Sequence, residues 1–418
     1  MAALGGEQTA TVLAVEEPVT PADAAAPVAA GRRSPLALVF YWAHAAGLFS
    51  IALSNVLLGV STLAVPWARP LEGLRRRAVR PLLLALAAYV ALLGLSALHS
   101  FDPRRSARAL SEVFALCTLL LGLALVKREH VVRRLRDAVL LLVTAESLVG
   151  LVQLVVAGGP DLARRPHGTL SHYMTFSGML LIGDLLLLAE LASRGRRMGW
   201  RALALLPINA ALLGTLTRSA WVGLAAGFVA LVLLSRRRVL LWWVPVMLLL
   251  LLVMPPAVLE RAVSIVDPAD PTNSDRLCMA QAGFEMIRER PLLGQGPDMV
   301  KARYPLYRLP AATRYTVPHL HDAFLEVAAE RGLPALAALL LLLGLPLARA
   351  LAGYQREGAR HGPRAELWLG VVVALVGFSV AGLFENNWGD IEVQRLVLLL
   401  AALPYGLGVP EEPALRSG

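Results

Sequence analysis

Long uninterrupted apolar blocks constrain this chain more than any other sequence feature. They are rich in Leu and Ala and about 18–25 residues long, which is the length that crosses a bilayer as an α-helix. Because apolar residues follow one another rather than alternate, the pattern excludes a membrane β-barrel. Only 17% of the 418 residues are charged, against about a quarter in soluble domains. The sequence therefore predicts an all-α, polytopic membrane protein.

The apolar blocks predict about twelve transmembrane helices. They lie at residues 35–49, 51–67, 81–99, 108–126, 137–157, 169–192, 200–216, 219–234, 239–258, 321–348, 366–385 and 391–408. The first 33 residues lack a basic start followed by an apolar core, which predicts a disordered tail rather than a signal peptide. The predicted organisation is a tail (1–33), nine helices (34–258), a polar segment (259–320), three helices (321–408) and a second tail (409–418).

Basic residues recur in every second connection between the predicted helices. These clusters lie at residues 75–77, 127–134, 194–197, 236–238 and 356–364. Since basic loops stay in the cytoplasm, both termini are predicted to be cytoplasmic, although arginines also occur at 104–105 and 164–165 on the other side. This distribution accounts for most of the net charge of +10 without a nucleic-acid partner. The odd number of helices before residue 259 then places the polar segment outside the cytoplasm.

Arg218 is the first candidate functional residue on that outer side. It lies in the short turn Thr215–Trp221 between the seventh and eighth predicted helices. It could be an interfacial arginine beside an anchoring Trp221. A cation in an otherwise apolar outer turn opposes the positive-inside bias, however, and this favours a functional role.

Arg276 is the second candidate, within a predicted helix of the polar segment. Asn273–Asp275 are predicted to cap this helix, apolar residues recur at helical spacing from Leu277 to Ile287, and Pro291 ends it. Arg276 would then lie in the first turn, where free N–H groups favour an anion. A guanidinium matches phosphate oxygens bidentately. We interpret Arg276 as half of a phosphate clamp, the alternative being a surface charge.

His319 and His321 lie at the outer mouth of the tenth predicted helix. Gly332 and Pro334 interrupt this helix, which predicts a short helix over residues 322–331 with His321 at its outer end. Histidine titrates near neutral pH and can serve as a general base, although a surface histidine is often inert. Two histidines could also bind a metal, but the sequence offers no third ligand at convincing spacing, so no metal is predicted.

Three acidic residues lie within predicted helices, at Glu112, Glu146 and Asp184. Charged groups are costly in lipid and usually face the interior of the bundle. They could line an ion path, as in a secondary transporter, or be paired with other helices.

Several segments together resemble the O-antigen ligase and polymerase superfamily. His321-Asp322, nine residues and then Gly332 are similar to its histidine motif, with Asp322 replacing the usual Asn, Ser or Gln and Ala335 replacing the usual Gly, Thr or Tyr. Similar segments, in the same order, are Pro166–His172, Thr217–Trp221, Ser274–Leu277 and Pro291–Gly296. The last has two glycines that predict positive φ angles. The resemblance covers roughly residues 40–405.

This resemblance implies a glycosyltransferase with the C-type membrane fold in the inner membrane of a Gram-negative bacterium. Such enzymes transfer a glycan from undecaprenyl pyrophosphate to a sugar hydroxyl of lipid A–core at the periplasmic face, with inversion and without a metal or cofactor. It implies His321 as the base, Arg218 and Arg276 as the pyrophosphate clamp, and His319 as a supporting substrate-binding residue.

Three other functions remain open at the level of sequence. An O-antigen polymerase or a protein O-glycosyltransferase would use the same donor with a different acceptor. A secondary transporter would use Glu112, Glu146 and Asp184, but it predicts paired halves with broken helices, which the sequence does not display. It would also leave the outer arginines and histidine unexplained.

Overall fold

The computed structural model describes residues 50–64, 71–235, 243–267, 270–357 and 363–407, with a few positions between 39 and 47. The described residues form helices and connecting turns, with no strand among them, so the all-α membrane fold is confirmed. Seven described helices are long and apolar enough to cross a membrane, or eight if one bent pair is a single span. The count of twelve stays a prediction. The two predicted tails, the basic cluster at 236–238 and most of the first predicted helix lie outside the described residues.

The helices are numbered here in chain order. They are α1 (Ile51–Ala64), α2 (Leu71–Leu74), α3 (Arg80–Leu98), α4 (Pro103–Ala109), α5 (Glu112–Leu125), α6 (Glu129–Val156), α7 (Tyr173–Arg194), α8 (Leu205–Gly214), α9 (Arg218–Ser235), α10 (Trp243–Val253), α11 (Pro256–Val263), α12 (Pro271–Glu289), α13 (Val300–Tyr307), α14 (Ala323–Arg331), α15 (Leu333–Glu357), α16 (Pro363–Gly382) and α17 (Ile391–Leu407).

Two predicted helices are broken in the structure. The ninth becomes α10 and α11, which meet at an angle of 119°, because Pro255 and Pro256 disfavour helix in the residue before each. The tenth becomes α14 and α15, separated at Gly332 as the sequence predicts. Each break leaves a short helix at the end of the bundle that carries the candidate site.

Helices α7 and α16 form the centre of the bundle, because 83% of the residues in the most apolar 18-residue stretch of each helix are buried. Helix α9 crosses α16 closely through small residues, as membrane helices commonly do. A Cβ added at Gly223 would lie 2.6 Å from the carbonyl oxygen of Gly377. Because this crossing is antiparallel, it brings the beginning of α9 and the end of α16 to the same end of the bundle. Those two ends carry Arg218 and Glu385.

The opposite end of the bundle is held by a network of ion pairs. Glu366 at the start of α16 accepts from Arg136 Nη1 and from Arg194 Nε, both at 2.5 Å. Glu190 pairs with Arg201 at 3.0 Å. Buried charges need such partners. Helix α16, of 20 residues, is roughly 30 Å long, so this basic end and the candidate site are about a bilayer thickness apart. Its assignment to the cytoplasm stays a prediction.

The three acidic residues inside predicted helices all have polar partners. Glu112 accepts from Arg331 Nη2 at 2.7 Å. Glu146 accepts from the N–H and hydroxyl of Thr169 at 2.8 and 2.7 Å. Asp184 is fully buried and accepts from Asn209 Nδ2 at 2.9 Å. These contacts favour the interpretation of paired groups between helices over that of an ion path.

Candidate active site

Helix α12 begins one turn earlier than the sequence pattern predicts. Asp270 is its N-cap and accepts from the N–H groups of Thr272 and Asn273 at 2.9 and 3.2 Å, and Pro271 occupies the first helical position that proline prefers. The predicted cap at Asn273–Asp275 is therefore wrong. Arg276 lies in the second turn, away from the free N–H groups. Its role must be argued from its neighbours rather than from the helix terminus.

Arg218 is 5% exposed, and its hydrogen bonds connect the start of α9 to the start of α12. Its Nη1 donates to the carbonyl and hydroxyl oxygens of Ser264 at 2.8 and 2.9 Å, and its Nη2 donates to Thr272 Oγ1 at 2.5 Å. Asp270 lies 3.4 Å from Nη1. Most of its N–H groups are therefore used within the protein. These contacts favour a positioning role for Arg218 over the predicted direct contact with a diphosphate, because few of its donors are left for a substrate.

His321 precedes α14 in a constrained conformation. Asp322 caps the helix by accepting from the N–H groups of Phe324 and Leu325, both at 2.9 Å. This confirms the predicted short helix and gives Asp322 a structural role. His321 itself has a φ of 54°, a conformation that costs about 1–3 kcal/mol in a non-glycine residue and concentrates at functional sites.

Glu385, in the turn after α16, joins both histidines. His321 Nδ1 lies 3.1 Å from Glu385 Oε2, and His319 Nε2 lies 3.6 Å from Oε1. Arg276 Nη2 lies 3.7 Å from Oε2. The structure thus brings together three of the predicted site residues around a carboxylate that the sequence analysis did not select. The available signal was an acidic residue in an otherwise almost uncharged outer turn.

The charges at this site fix the role of each nitrogen of His321. Burial alone would raise the pKa of Glu385, but the hydrogen bond from His321 and the neighbouring His321, His319 and Arg276 side chains lower it overall. Glu385 is therefore ionised at neutral pH and can only accept. His321 Nδ1 must donate to it, which leaves Nε2 free to accept a proton. Burial lowers the pKa of His319 to about 4, so His319 is neutral.

His319, His321 and Glu385 also meet the geometric requirement for a metal site. Their ligand atoms lie within 4.8 Å of one another, and two histidines with one carboxylate can hold zinc. Glu385 is the third ligand that the sequence did not reveal. However, the guanidinium of Arg276 lies 3.7 Å from the same carboxylate and repels a dication. The arrangement fits an anionic substrate better than a metal ion.

Arg261 is a further cation of this site that the sequence analysis missed. Its Nη1 lies 3.8 Å from Asp270 Oδ2, the same oxygen that lies 3.4 Å from Arg218. Two guanidinium groups therefore share one carboxylate, which leaves excess positive charge next to Arg276. Burial lowers the pKa of Arg276, the nearby charge of Arg218 lowers it further, and Glu385 opposes both effects.

The Pro291–Gly296 turn is a structural support for His321. Its backbone N–H groups at Gln295 and Gly296 donate to the carbonyl oxygens of Ala329 and Glu330 at 2.9 and 2.8 Å. These carbonyls lie at the end of α14, where the helix break leaves them without helical partners. Gly294 and Gly296 have φ angles of 67° and 112°, as predicted. The turn and the break at Gly332 thus form one unit that fixes α14.

Comparison with known protein families adds to this geometry. Residues 202–340 match the family described as O-antigen ligase. This region, about a third of the chain, is therefore similar to the O-antigen ligase family. Members of the family are membrane glycosyltransferase-like enzymes. The O-antigen ligase match contains Arg218, Arg276 and His321 and ends before Glu385. Among curated proteins, no match to the chain was found.

Glu385→Gln tests whether the carboxylate supports His321. The amide keeps the shape of the side chain but removes the negative charge that orients and stabilises the imidazolium. We expect glycan transfer to fall by up to roughly 10²–10⁴-fold, the contribution of a general base, with the KM for substrate nearly unchanged. Steady-state kinetics of the reconstituted protein measure both. A rate near that of the wild type would show that Glu385 only stabilises the fold.

Proposed function

We propose that this protein is an O-antigen ligase. It transfers a glycan from undecaprenyl pyrophosphate to a sugar hydroxyl of lipid A–core at the periplasmic face of the inner membrane, without a metal. The observation that carries the proposal is the His321–Glu385 pair beside Arg276, because it combines a base with a binding group for a diphosphate.

His321 acts as the base. Its Nε2 accepts the proton of the acceptor hydroxyl while that oxygen attacks the anomeric carbon of the donor sugar. The bond between the anomeric carbon and the diphosphate oxygen breaks with its electron pair on the diphosphate. The proton stays on His321 as an imidazolium, which the ionised Glu385 stabilises. A single displacement of this kind inverts the anomeric configuration.

Arg276 stabilises the leaving diphosphate. Its side chain is a quarter exposed and has Glu385 at 3.7 Å as its described ion-pair partner, so its fork can rotate onto phosphate oxygens. The positive charges of Arg218 and Arg261, which lie near Arg276, add to the electrostatic attraction for the diphosphate. Cations placed where negative charge develops stabilise the transition state without a metal.

Reconstitution of the purified protein tests this proposal directly. The protein is combined with lipid-pyrophosphate glycan and lipid A–core, without added nucleotide, and the products are separated on a gel. Glycan on lipid A–core supports a ligase. Elongation of the lipid-linked glycan instead would identify a polymerase. Absence of any glycan product, together with uptake of solute into proteoliposomes, would favour a transporter.

Chelation tests the choice between a base and a metal at the histidines. We expect EDTA treatment to change the transfer rate by less than about twofold, because the proposed reaction uses no Lewis acid. Added zinc should inhibit by binding His319, His321 and Glu385 and occupying the base. A rate that falls with EDTA and returns with zinc would instead make these three residues a catalytic metal site.

A further inference from the structure

A cavity of about 420 Å³ lies between the end of α6, the following loop and the beginning of α7. Its volume falls within the roughly 300–1,000 Å³ of small-molecule sites. The residues that line it are Gln153, Ala157, Leu162, Ala163, Arg164, Arg165, His167, Ser171, His172 and Tyr173. None of the mechanistic steps above uses this cavity.

The lining of the cavity favours an anion with hydroxyl groups. It contains two arginines and two histidines, and none of the described lining residues is acidic. The guanidinium of Arg165 stacks on the ring of Tyr173 at 4.2 Å, and its Nε donates to the carbonyl of Leu162 at 3.3 Å. These contacts, together with a side-chain hydrogen bond to Tyr173, hold Arg165 at the wall of the cavity. The exposed Arg164 places a second guanidinium group at the same cavity, and a pair of guanidinium groups suits a phosphate or carboxylate.

His172 adds a neutral donor to this wall. Its Nδ1 accepts from the N–H of Met174 at 3.2 Å, which leaves the N–H at Nε2. Burial lowers the pKa of His172, against the opposing effect of Glu385, so the ring is neutral at neutral pH. It can therefore donate to a sugar hydroxyl without adding charge.

The loop that forms the cavity is fixed to α6 by side-chain hydrogen bonds. Gln153 Oε1 accepts from the N–H groups of His167 and Gly168, both at 2.9 Å, and its Nε2 donates to the carbonyl of Gly168 at 2.7 Å. Glu146 holds Thr169 in the same way. The wall is thus preformed, which lowers the entropic cost of binding a ligand.

The cavity adjoins the proposed catalytic residues. Glu385 and His321 are among the groups that influence the pKa of His172, and Tyr173 at the cavity wall is among those that influence the pKa of Arg276. The cavity therefore lies in the neighbourhood of both the proposed base and Arg276. The base must contact the acceptor hydroxyl, whereas the diphosphate of the donor belongs at Arg276.

We propose that this cavity binds an anionic sugar of the acceptor glycan, one that carries a phosphate or a carboxylate. The assignment of this ligand to the acceptor rests on the proposed function. The chemical class of the ligand follows from the lining of the cavity alone. In this arrangement Arg164 and Arg165 contact the anionic group, and His172 and Ser171 contact hydroxyl groups of the ring. The neighbouring sugar then presents its hydroxyl to His321.

Binding of simple probes tests the chemical class without any transfer reaction. Full-length protein in lipid nanodiscs is titrated with glucose 6-phosphate, glucose and inorganic phosphate, and binding is followed by saturation-transfer NMR. We expect glucose 6-phosphate to bind at least about tenfold more tightly than either other probe. The double variant Arg164→Ala/Arg165→Ala should lose this preference. Arg288→Ala is the control, because Arg288 is 82% exposed and lies 3.6 Å from Glu285 on α12.

Two outcomes of the binding experiment would overturn the proposal. Equal binding of glucose would show that the arginines do not select charge. Equal binding of inorganic phosphate would show an anion site that does not recognise a sugar. Arg165→Lys guards against a folding artefact, since it keeps the charge and should retain part of the affinity while losing the fixed fork.

Kinetics then assign the site to one substrate. In the double variant we expect the KM for a phosphorylated acceptor to rise at least about tenfold, with kcat and the KM for the donor within about twofold of the wild type. A rise in the donor KM instead would overturn the assignment to the acceptor. If the wild-type protein transfers no glycan at all, the proposed function fails, and the probe titrations still decide the class of ligand.

Discussion

Replacing His321 with alanine should lower glycan transfer by roughly 10²–10⁴-fold, the usual contribution of a general base. The acceptor hydroxyl would then have no group to take its proton, since His319 is neutral with a pKa of about 4 and is a poor base. Binding of the lipid-linked donor should persist, because Arg276 and its supporting arginines are untouched. Product formation and donor binding are measured separately on the reconstituted protein.

The backbone at His321 requires a matched pair of variants. Its φ of 54° is strained for alanine, whereas asparagine tolerates this region. His321→Asn should therefore keep the thermal stability of the wild type and still lose transfer. His99→Ala serves as a control, because His99 is exposed and its Nδ1 contacts only the Leu95 carbonyl of its own helix among its described hydrogen bonds. Transfer at the wild-type rate in His321→Asn would refute the base assignment.

The sequence predicts the short helix after His321 and the existence of α12, because the signals for both are local. Gly332 and Pro334 predict the short helix that follows His321, and hydrophobic periodicity predicts α12. The start of α12 was misassigned because the sequence offers two caps one turn apart. Asp270-Pro271 prevails, since the aspartate accepts two backbone N–H groups and proline favours the first position.

The partners of these residues could not be predicted, since they come from distant parts of the chain. Glu385 reaches His321 because α16 crosses α9 closely at Gly223 and Gly377. This contact depends on two helices together, so the sequence of either apolar block alone does not predict it. Arg218 lies near Arg276 as the sequence predicts, but its bonds to Ser264, which is distant in sequence, favour a positioning role. Spacing along the chain therefore identified chemical types, and helix packing decided their roles.

Two replacements of Arg276 should distinguish the effect of its positive charge on the leaving diphosphate from the effect of its bidentate guanidinium group. In Arg276→Ala we expect kcat to fall by roughly 10²–10³-fold, as when one group that stabilises a developing anion is removed. Arg276→Lys should lie between this variant and the wild type, because lysine keeps the charge but lacks the bidentate fork. Steady-state kinetics with the lipid-pyrophosphate donor measure the series, and Arg288→Ala on the same helix is the control. An inactive lysine variant that also fails to bind donor would mean that the fork serves ground-state binding.

The pH dependence of Arg276→Ala distinguishes this role from a structural one. Arg276 lies 3.7 Å from Glu385 and is one of the charges that lower its pKa. Without Arg276 the pKa of Glu385 rises, so the carboxylate becomes protonated, and ceases to orient His321, at a higher pH than in the wild type. The acidic limb of the pH–rate profile should therefore shift to higher pH in Arg276→Ala. The double variant Arg276→Ala/Glu385→Gln has no carboxylate at position 385, so it should not show this shift. Because the two residues share one interaction, the losses in the double variant should be less than the product of the single losses. A strictly multiplicative loss with an unshifted profile would place Arg276 outside the site.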